Sequence, residues 1–362
     1  MTIMLTPEQY MRRALALAVR GRGRTSPNPI VGAVVVSPDG VVVGQGYHER
    51  LGDAHAEVRA LERAGDAARG ATMYCTLEPC CHSGRTGPCV QRIVEAGVAR
   101  VIAAVEDPYP LVQGRGFAFL REHGVEVHVG VGADAAIAAN QPFFTLVRQG
   151  RPFVILKAAT SADGFIAARR DQPVKLTSPL SDRHAQRMRG EVDAIGVGAG
   201  TILADDPLLT ARGVYRERPL VRVVFDRHLR IPLGARVLST PDLGPVMIVA
   251  SPQASPDRRA QIAGMGVEVL VAEDASLGAA LKCLGVRSIS SLLLEGGATV
   301  HAAAWDEGVV DFVRLYVTPH RIGSGGVPFM DGRQVDTTLL AERREWPLGP
   351  DQVIEGYVHR PH

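Results

Sequence analysis

A chain of 362 residues with 46% apolar side chains is long enough for two domains, each with its own core. A formal net charge of +2, with both signs interspersed and no basic stripe, argues against a nucleic-acid partner. No apolar run approaches the roughly 20 residues of a membrane span, the start Met1-Thr2-Ile3 lacks signal-peptide character, and five irregularly spaced cysteines make no disulfide framework, so a cytoplasmic protein with no membrane association is expected.

Met11, Ala14, Leu15, Ala18 and Val19 recur at helical spacing after Pro7. The apolar runs 30–36 and 41–43 flank Ser37-Pro38-Asp39-Gly40, a hairpin signal. A helix is predicted from His55 to Ala64, and a short strand over Ala71 to Cys75. The pattern then runs helix 90–96, strand 101–105, helix 114–122, strand 125–129, helix 133–140. Strands alternating with helices predict an α/β layered domain.

Inside that pattern lies an unusual group of polar residues. His55-Ala56-Glu57 opens it, and Cys80 and Cys89 close it. One histidine and two cysteines are three zinc ligands, and they leave a fourth tetrahedral position open for water, whose pKa a bound metal lowers. Glu57 is then a carboxylate free to carry a proton. His-x-Glu followed by Pro-Cys and a second Cys is the pattern of zinc deaminases that act on bases and nucleosides. The eight residues between Cys80 and Cys89 exceed the two of the short form, but Gly84, Gly87 and Pro88 allow the insert to loop out. Cys89 begins a predicted helix, where a depressed thiol pKa is expected. His55 and Glu57, two apart, do not share a face of a regular helix. The pattern therefore places the helix N-terminus at the floor of a pocket. A structural zinc would need a fourth ligand, for which Cys81 and His82 are the candidates. Cys75, Cys81 and Cys283 read as buried, reduced thiols.

Gln141 to Pro152, with Pro142, Gly150 and Pro152, reads as a domain boundary. A second α/β pattern follows. Strands are predicted at 153–157, 194–197, 220–225, 246–250, 267–271, 291–294 and 310–317, and helices near 178–189, 257–264, 276–284 and 298–304. Three stretches carry signal: Lys157 to Gly164, Gly198 to Arg212, and Glu295-Gly296-Gly297-Ala298-Thr299. Backbone amides at the last of these could cradle a phosphate, and all three sit at strand carboxyl ends, where open sheets bind ligands. Lysine is rare here: Lys157, Lys175 and Lys282 are the only three.

Thr76-Leu77-Glu78-Pro79-Cys80, Gly84-Arg85-Thr86 and Pro88-Cys89, with Pro27-Asn28-Pro29-Ile30-Val31-Gly32 upstream and Asp107-Pro108 and Gly114-Arg115-Gly116 downstream, resemble the bifunctional riboflavin biosynthesis proteins. These join a diaminohydroxyphosphoribosylaminopyrimidine deaminase to a 5-amino-6-(5-phosphoribosylamino)uracil reductase. The resemblance extends well to about residue 320 and loosely over the last forty. It implies a cytidine-deaminase-like zinc domain over 1–146 and a dihydrofolate-reductase-like, NADPH-using domain over 151–362. It further implies that Glu57 is catalytic and that Lys157 and Asp205 stand near the reduction centre. Ala159, Thr201, Asp205, Gly297, Ala298, Thr299, Val300, His301, Ala302 and Ala303 would line the NADPH site. Arg189, Leu209, Arg212 and Glu295 would face a pyrimidine ribosyl phosphate, with the two arginines binding its phosphate. Arg183 and Arg187 are expected on a solvated helix face. A homo-oligomer is expected.

The chain departs from the family where an aromatic residue normally precedes the helix near 178: here stand Lys175-Leu176, with Pro173 in place of a small polar residue. Asp226-Arg227-His228 follows the predicted strand 220–225, and two readings of Arg227 stand side by side: a contact for the cofactor 2′-phosphate, or a solvated loop arginine with Asp226 paired to a neighbour. The alternative reading is a nucleoside or tRNA-base deaminase with an unrelated second domain, and a third is a non-catalytic zinc scaffold. The long Cys80-to-Cys89 insert and the lack of a basic patch speak against the former, and an intact Glu57 against the latter.

Overall fold

The computed structural model describes residues 5–82, 87–169, 174–333 and 335–360. The chain divides into two compact units, and the division falls between Arg148 and Gln149.

In the first unit, α1 (Pro7–Ala18) starts from a Thr6–Gln9 capping box with Pro7 in its first turn, and buries Tyr10, Met11, Ala14 and Leu17. Strands β1 (Gly32–Val36) and β2 (Val42–Tyr47) form the expected hairpin. Then come α2 (Ala56–Ala64), β3 (Thr72–Cys75), α3 (Cys89–Glu95), β4 (Arg100–Ala103), α4 (Arg115–Glu122), β5 (Glu126–Val129), α5 (Ala133–Ala139) and α6 (Gln141–Gln149). The sheet runs β2-β1-β3-β4-β5. Strand β1 is buried on both faces: Ala33 and Val35 enter the cluster under α2, α3 and α4, while Val34 and Val36 enter the one under α1. Helix α2 lies tight on β2, since a Cβ at Gly44 would come within 2.1 Å of the Ala60 carbonyl oxygen. That contact fixes the helix start that carries His55 and Glu57.

The division between the two units falls inside the predicted boundary at 141–152, whose first nine residues form α6 rather than a loop. Pro142 sits in the opening turn, where a missing N–H costs nothing, and Phe144 and Thr145 are buried.

In the second unit the order is β6 (Phe153–Thr160), β7 (Phe165–Ala167), α7 (Pro179–Glu191), β8 (Ala194–Gly198), α8 (Ala199–Asp205), β9 (Val221–Phe225), β10 (Val246–Ala250), α9 (Pro256–Ala263), β11 (Glu268–Val271), α10 (Leu277–Val286), β12 (Ser291–Gly296), α11 (Ala298–Asp306), β13 (Phe312–Val317), β14 (Val327–Pro328), β15 (Ala341–Leu348) and β16 (Asp351–Tyr357). Nine strands make one sheet, β11-β10-β9-β8-β12-β6-β13-β16-β15. The first seven are parallel, and the final hairpin adds two antiparallel strands. That hairpin was not foreseen. Residues 342–345 of β15 are all exposed, so the segment shows no apolar alternation. Apolar clusters cover both faces of the parallel part, as βα crossovers require. Arg222 is fully buried in β9 and donates to the Thr240 carbonyl at 2.6 Å and to its hydroxyl at 2.9 Å. A charged residue inside a core strand is tolerated here because carbonyl and hydroxyl oxygens meet its guanidinium. Among the described residues no helix is long and apolar enough to cross a membrane.

Candidate active sites

His55 is the N-cap of α2, with extended backbone at φ −69° and ψ 165°. Its side chain therefore leaves the helix in a different direction from that of Glu57, in the first turn. This resolves the two-residue spacing, which no single helical face could. Cys80 lies in the loop after β3, and Cys89 is the first residue of α3. The Cys89 N–H donates to the Cys80 sulfur at 3.4 Å, and the Val90 N–H to the Cys80 carbonyl at 3.2 Å. These contacts bring the two cysteines together whatever the insert does; Gly84-Arg85-Thr86 of that insert lies outside the described residues.

The His55 Nδ1 is 3.4 Å from the Cys80 Sγ and 3.3 Å from the Cys89 Sγ, and all three ligand atoms lie within 4.8 Å of one another. Two edges of a tetrahedron built from ordinary Zn–N and Zn–S bonds would measure about 3.5 Å, so the donor set fits zinc. Neither alternative fourth ligand joins it. The Cys81 thiol turns to the Leu111 carbonyl at 3.5 Å, and the His82 ring stands against Tyr109.

Without a cation the three groups share protons. Donation from Cys89, helped by the His55 ring, draws Cys80 down to about 4 against burial. Cys80 in turn holds His55 up at about 9. Cys89 is pushed well up, by its role as donor to Cys80 and by burial. The bond to Cys80 and burial thus oppose the depression expected of a thiol at a helix start. Metal binding displaces such protons. Glu57 is 3% exposed, and burial pushes its carboxyl up to about 7. Cys75 is buried, whereas Cys81 and Cys283 are only half-buried, and all five cysteines are free.

The second unit carries a cavity of about 870 Å³ at the carboxyl ends of its parallel strands. Lys157, Ala159, Thr201, Asp205, Arg227, Glu295, Gly297, Ala298, Thr299, Val300, His301 and Ala303 all line it. A Cβ on Gly296 or Gly297 would come within 3.1–3.2 Å of the Thr201 Oγ1. Gly296, Gly297 and Ala298 line the cavity where α11 begins, and the backbone N–H groups of such a helix start suit a pyrophosphate and hence a dinucleotide.

Glu295 is the electrostatic centre. Arg189 grips it with both fork nitrogens at 2.7 and 2.8 Å, and the Lys157 Nζ stands 3.7 Å away. Burial works to raise its pKa, but Lys157 and Arg189 hold it down at about 2. Lys157 also faces the Tyr316 ring at 5.6 Å. Asp205 ends α8 on the cavity wall, where partial burial raises its pKa. Buried His301 is pushed down to about 4 and is neutral.

Several expected positions fall elsewhere. Ala302 turns into the core, because the helical phase that points Thr299, Val300 and Ala303 at the cavity points it away. Leu209 is 4% exposed and packs in the apolar cluster with Ile202 and Ile231. Arg212 is exposed outside the cavity lining, its backbone N–H held by Gln186 at 2.6 Å. Arg189 stands behind Glu295, outside the cavity lining, and also donates to the Thr210 carbonyl at 2.7 Å. Arg183 and Arg187 are exposed. Lys175 lines the cavity and pairs with Asp182 at 3.0 Å, while Pro173 lies outside the described residues. Ser251, Asp274 and Ser276, at the far end of the cavity, escaped the sequence reading. Their only signal was a place just after predicted strands.

Two protein families match the chain. The cytidine and deoxycytidylate deaminase zinc-binding region matches residues 4–105, and the RibD C-terminal domain matches residues 152–354. The riboflavin biosynthesis protein RibD of Aquifex aeolicus is 39% identical over 96% of this chain and 97% of its own length. That of Escherichia coli K12 is 38% identical over 88% and 89%. Among solved structures, Acinetobacter baumannii RibD superposes with a TM-score of 0.85 at 34% identity, covering 97% of this chain and 99% of that one. The deaminase/reductase of Thermotoga maritima gives 0.82 at 35% identity, covering 98% of each chain. With identity sustained across both units, the chain belongs to the RibD family of riboflavin biosynthesis proteins, in which a zinc-binding deaminase domain is followed by a reductase domain.

Proposed function

We propose that His55, Cys80 and Cys89 hold the zinc of the deaminase reaction and that Glu57 moves its protons. The substrate is 2,5-diamino-6-(5-phosphoribosylamino)pyrimidin-4(3H)-one, which loses its 2-amino group as ammonia. Bound zinc supplies an acidified water. Glu57 takes a proton at its buried carboxylate, delivers it to the ring nitrogen, and then serves the leaving amine. A carboxyl that burial pushes towards 7 suits both steps.

In the second unit NADPH supplies the hydride that converts the ribosyl group to ribityl. The sugar must first open to an imine at C1′, which needs a proton donor. Lys157, held by Glu295 against the Tyr316 ring, is that donor in this reading, and Asp205 is the second polar group on the same wall. The observation that carries the whole proposal is the meeting of His55, Cys80 and Cys89 around a buried, non-ligating Glu57. Incubation with the diaminopyrimidine should yield a product one mass unit heavier without NADPH, and one reduced by two further hydrogens with it. No mass change in a zinc-loaded preparation overturns the reading. The cytoplasmic, homo-oligomeric state and the absence of a nucleic-acid partner belong to the same proposal; free thiols and near-neutral charge support the first and last.

Cofactor choice rests on the end of β9. Asp226 is buried; it accepts the Ile231 N–H at 2.9 Å and lies 3.8 Å from Arg230. Arg227 is exposed on the cavity wall. A charge-assisted contact to the 2′-phosphate is worth about 1.5–3 kcal/mol. Arg227→Ala should therefore raise the Michaelis constant for NADPH about ten- to a hundredfold and leave that for NADH almost unchanged. Equal changes for the two cofactors would remove Arg227 from the site.

A further inference from the structure

Glu78 is a carboxylate with 3% exposure, and among the described residues no ion pair joins it to a cation. Four backbone N–H groups converge on it instead. Its Oε2 accepts from Asp107 at 3.1 Å and Gly114 at 3.0 Å, and its Oε1 from Gly116 at 2.9 Å and Phe117 at 3.2 Å. Its own N–H donates to the Val105 carbonyl at 3.0 Å. Both ends of the segment 107–116 are thus tied to one side chain, two residues before Cys80.

The segment lies over the metal loop. Gly116 passes so close that a Cβ there would come within 2.2 Å of the Pro79 carbonyl oxygen. Leu111 accepts the Cys81 thiol, and Tyr109 meets the His82 ring at 6.0 Å. Asp107 is 7% exposed, accepts the Tyr109 N–H at 2.8 Å, and is within electrostatic reach of Cys80. Backbone N–H groups that converge on an anion form a rigid nest. Charge-assisted acceptance of this kind is stronger than between neutral groups, so four such bonds from one residue can decide the shape of a ten-residue loop.

We propose that Glu78 is a positioning residue of the deaminase half, which fixes the segment 107–116 as a wall beside the metal loop and so sets substrate affinity. It touches none of the reacting atoms. The inference rests on the zinc-site reading, which deamination and zinc content of the unaltered protein test separately.

Glu78→Gln keeps the shape but turns one acceptor oxygen into a donor, leaving two N–H groups facing an NH2. Ligands and Glu57 are untouched. The full-length variant should keep about one zinc per chain and its reductase activity. The Michaelis constant for the diaminopyrimidine should rise about ten- to a hundredfold, the loss expected when one or two charge-assisted bonds fail. The turnover number should stay within about threefold, since the groups that move protons are unchanged. Unchanged constants, a fall in turnover alone, or loss of zinc would each overturn the proposal. Amide exchange in the unaltered protein gives a test independent of folding of the variant. The N–H groups of Asp107, Gly114, Gly116 and Phe117 should exchange as slowly as those of β3. Exchange at the rate of an open loop would overturn the proposal.

Discussion

Glu57→Gln should lower deamination by about 10²–10⁴-fold, the usual contribution of a positioned acid–base group. Zinc should remain at about one per chain, and reduction of already deaminated substrate should be unaffected. Glu57 sits in the first turn of α2, beside His55 but pointing elsewhere, so its loss leaves all three ligand atoms in place. It is buried, and its carboxyl is held near 7 by desolvation, against the opposing pull of His55. Glutamine fills the same space, keeps an acceptor, and removes the cost of burying an anion. The variant should therefore fold at least as well as the parent. What it cannot do is take up a proton. Ammonia release and bound zinc, measured on one preparation, separate these effects. Deamination at the parent rate would show that the proton travels by another group.

Lys157→Met should cut reduction by about 10²–10⁴-fold while deamination continues. Lys157 is one of three lysines in the chain, and its ammonium stands 3.7 Å from Glu295 and over the Tyr316 ring. Methionine retains much of the length and apolar packing of the stem. Glu295 is not stranded by the change, because the Arg189 fork still meets both of its oxygens. A buried anion that keeps a bidentate partner does not incur the full penalty of an unpaired charge. The loss should thus appear in turnover, with NADPH affinity, read by cofactor fluorescence, changed only a few-fold. Unaltered NADPH oxidation with the deaminated substrate would eliminate Lys157 as the donor. Weakened cofactor binding with unchanged turnover would reassign it to the NADPH wall.

Residue types and their spacing were enough to fix the kinds of chemistry. His55, Glu57, Cys80 and Cys89 are recognisable because metal ligation and proton transfer demand particular side chains within a short stretch. Most helices and parallel strands were legible because apolar periodicity is a local property. The last hairpin and α6 were not. One has an edge strand with four exposed residues in a row, and the other opens with a proline that reads as a break. Which polar groups meet followed only from the packing of distant segments. Arg189, near the end of α7, and Glu295, near the end of β12, lie 106 residues apart and become partners only once the fold brings those two ends together. Helical phase separates Ala302 from Ala303, one in the core and one on the cavity. Ser251 and Asp274 reach the far end of the same cavity because β10 and β11 lie side by side at the sheet edge. Glu78 carries no periodic signal at all. Its four N–H partners come from residues 29 to 39 positions away, and such convergence exists only once the chain has closed on itself. Residue type limits what a side chain can do, but the distances that turn it into a site are set by packing between segments remote in sequence.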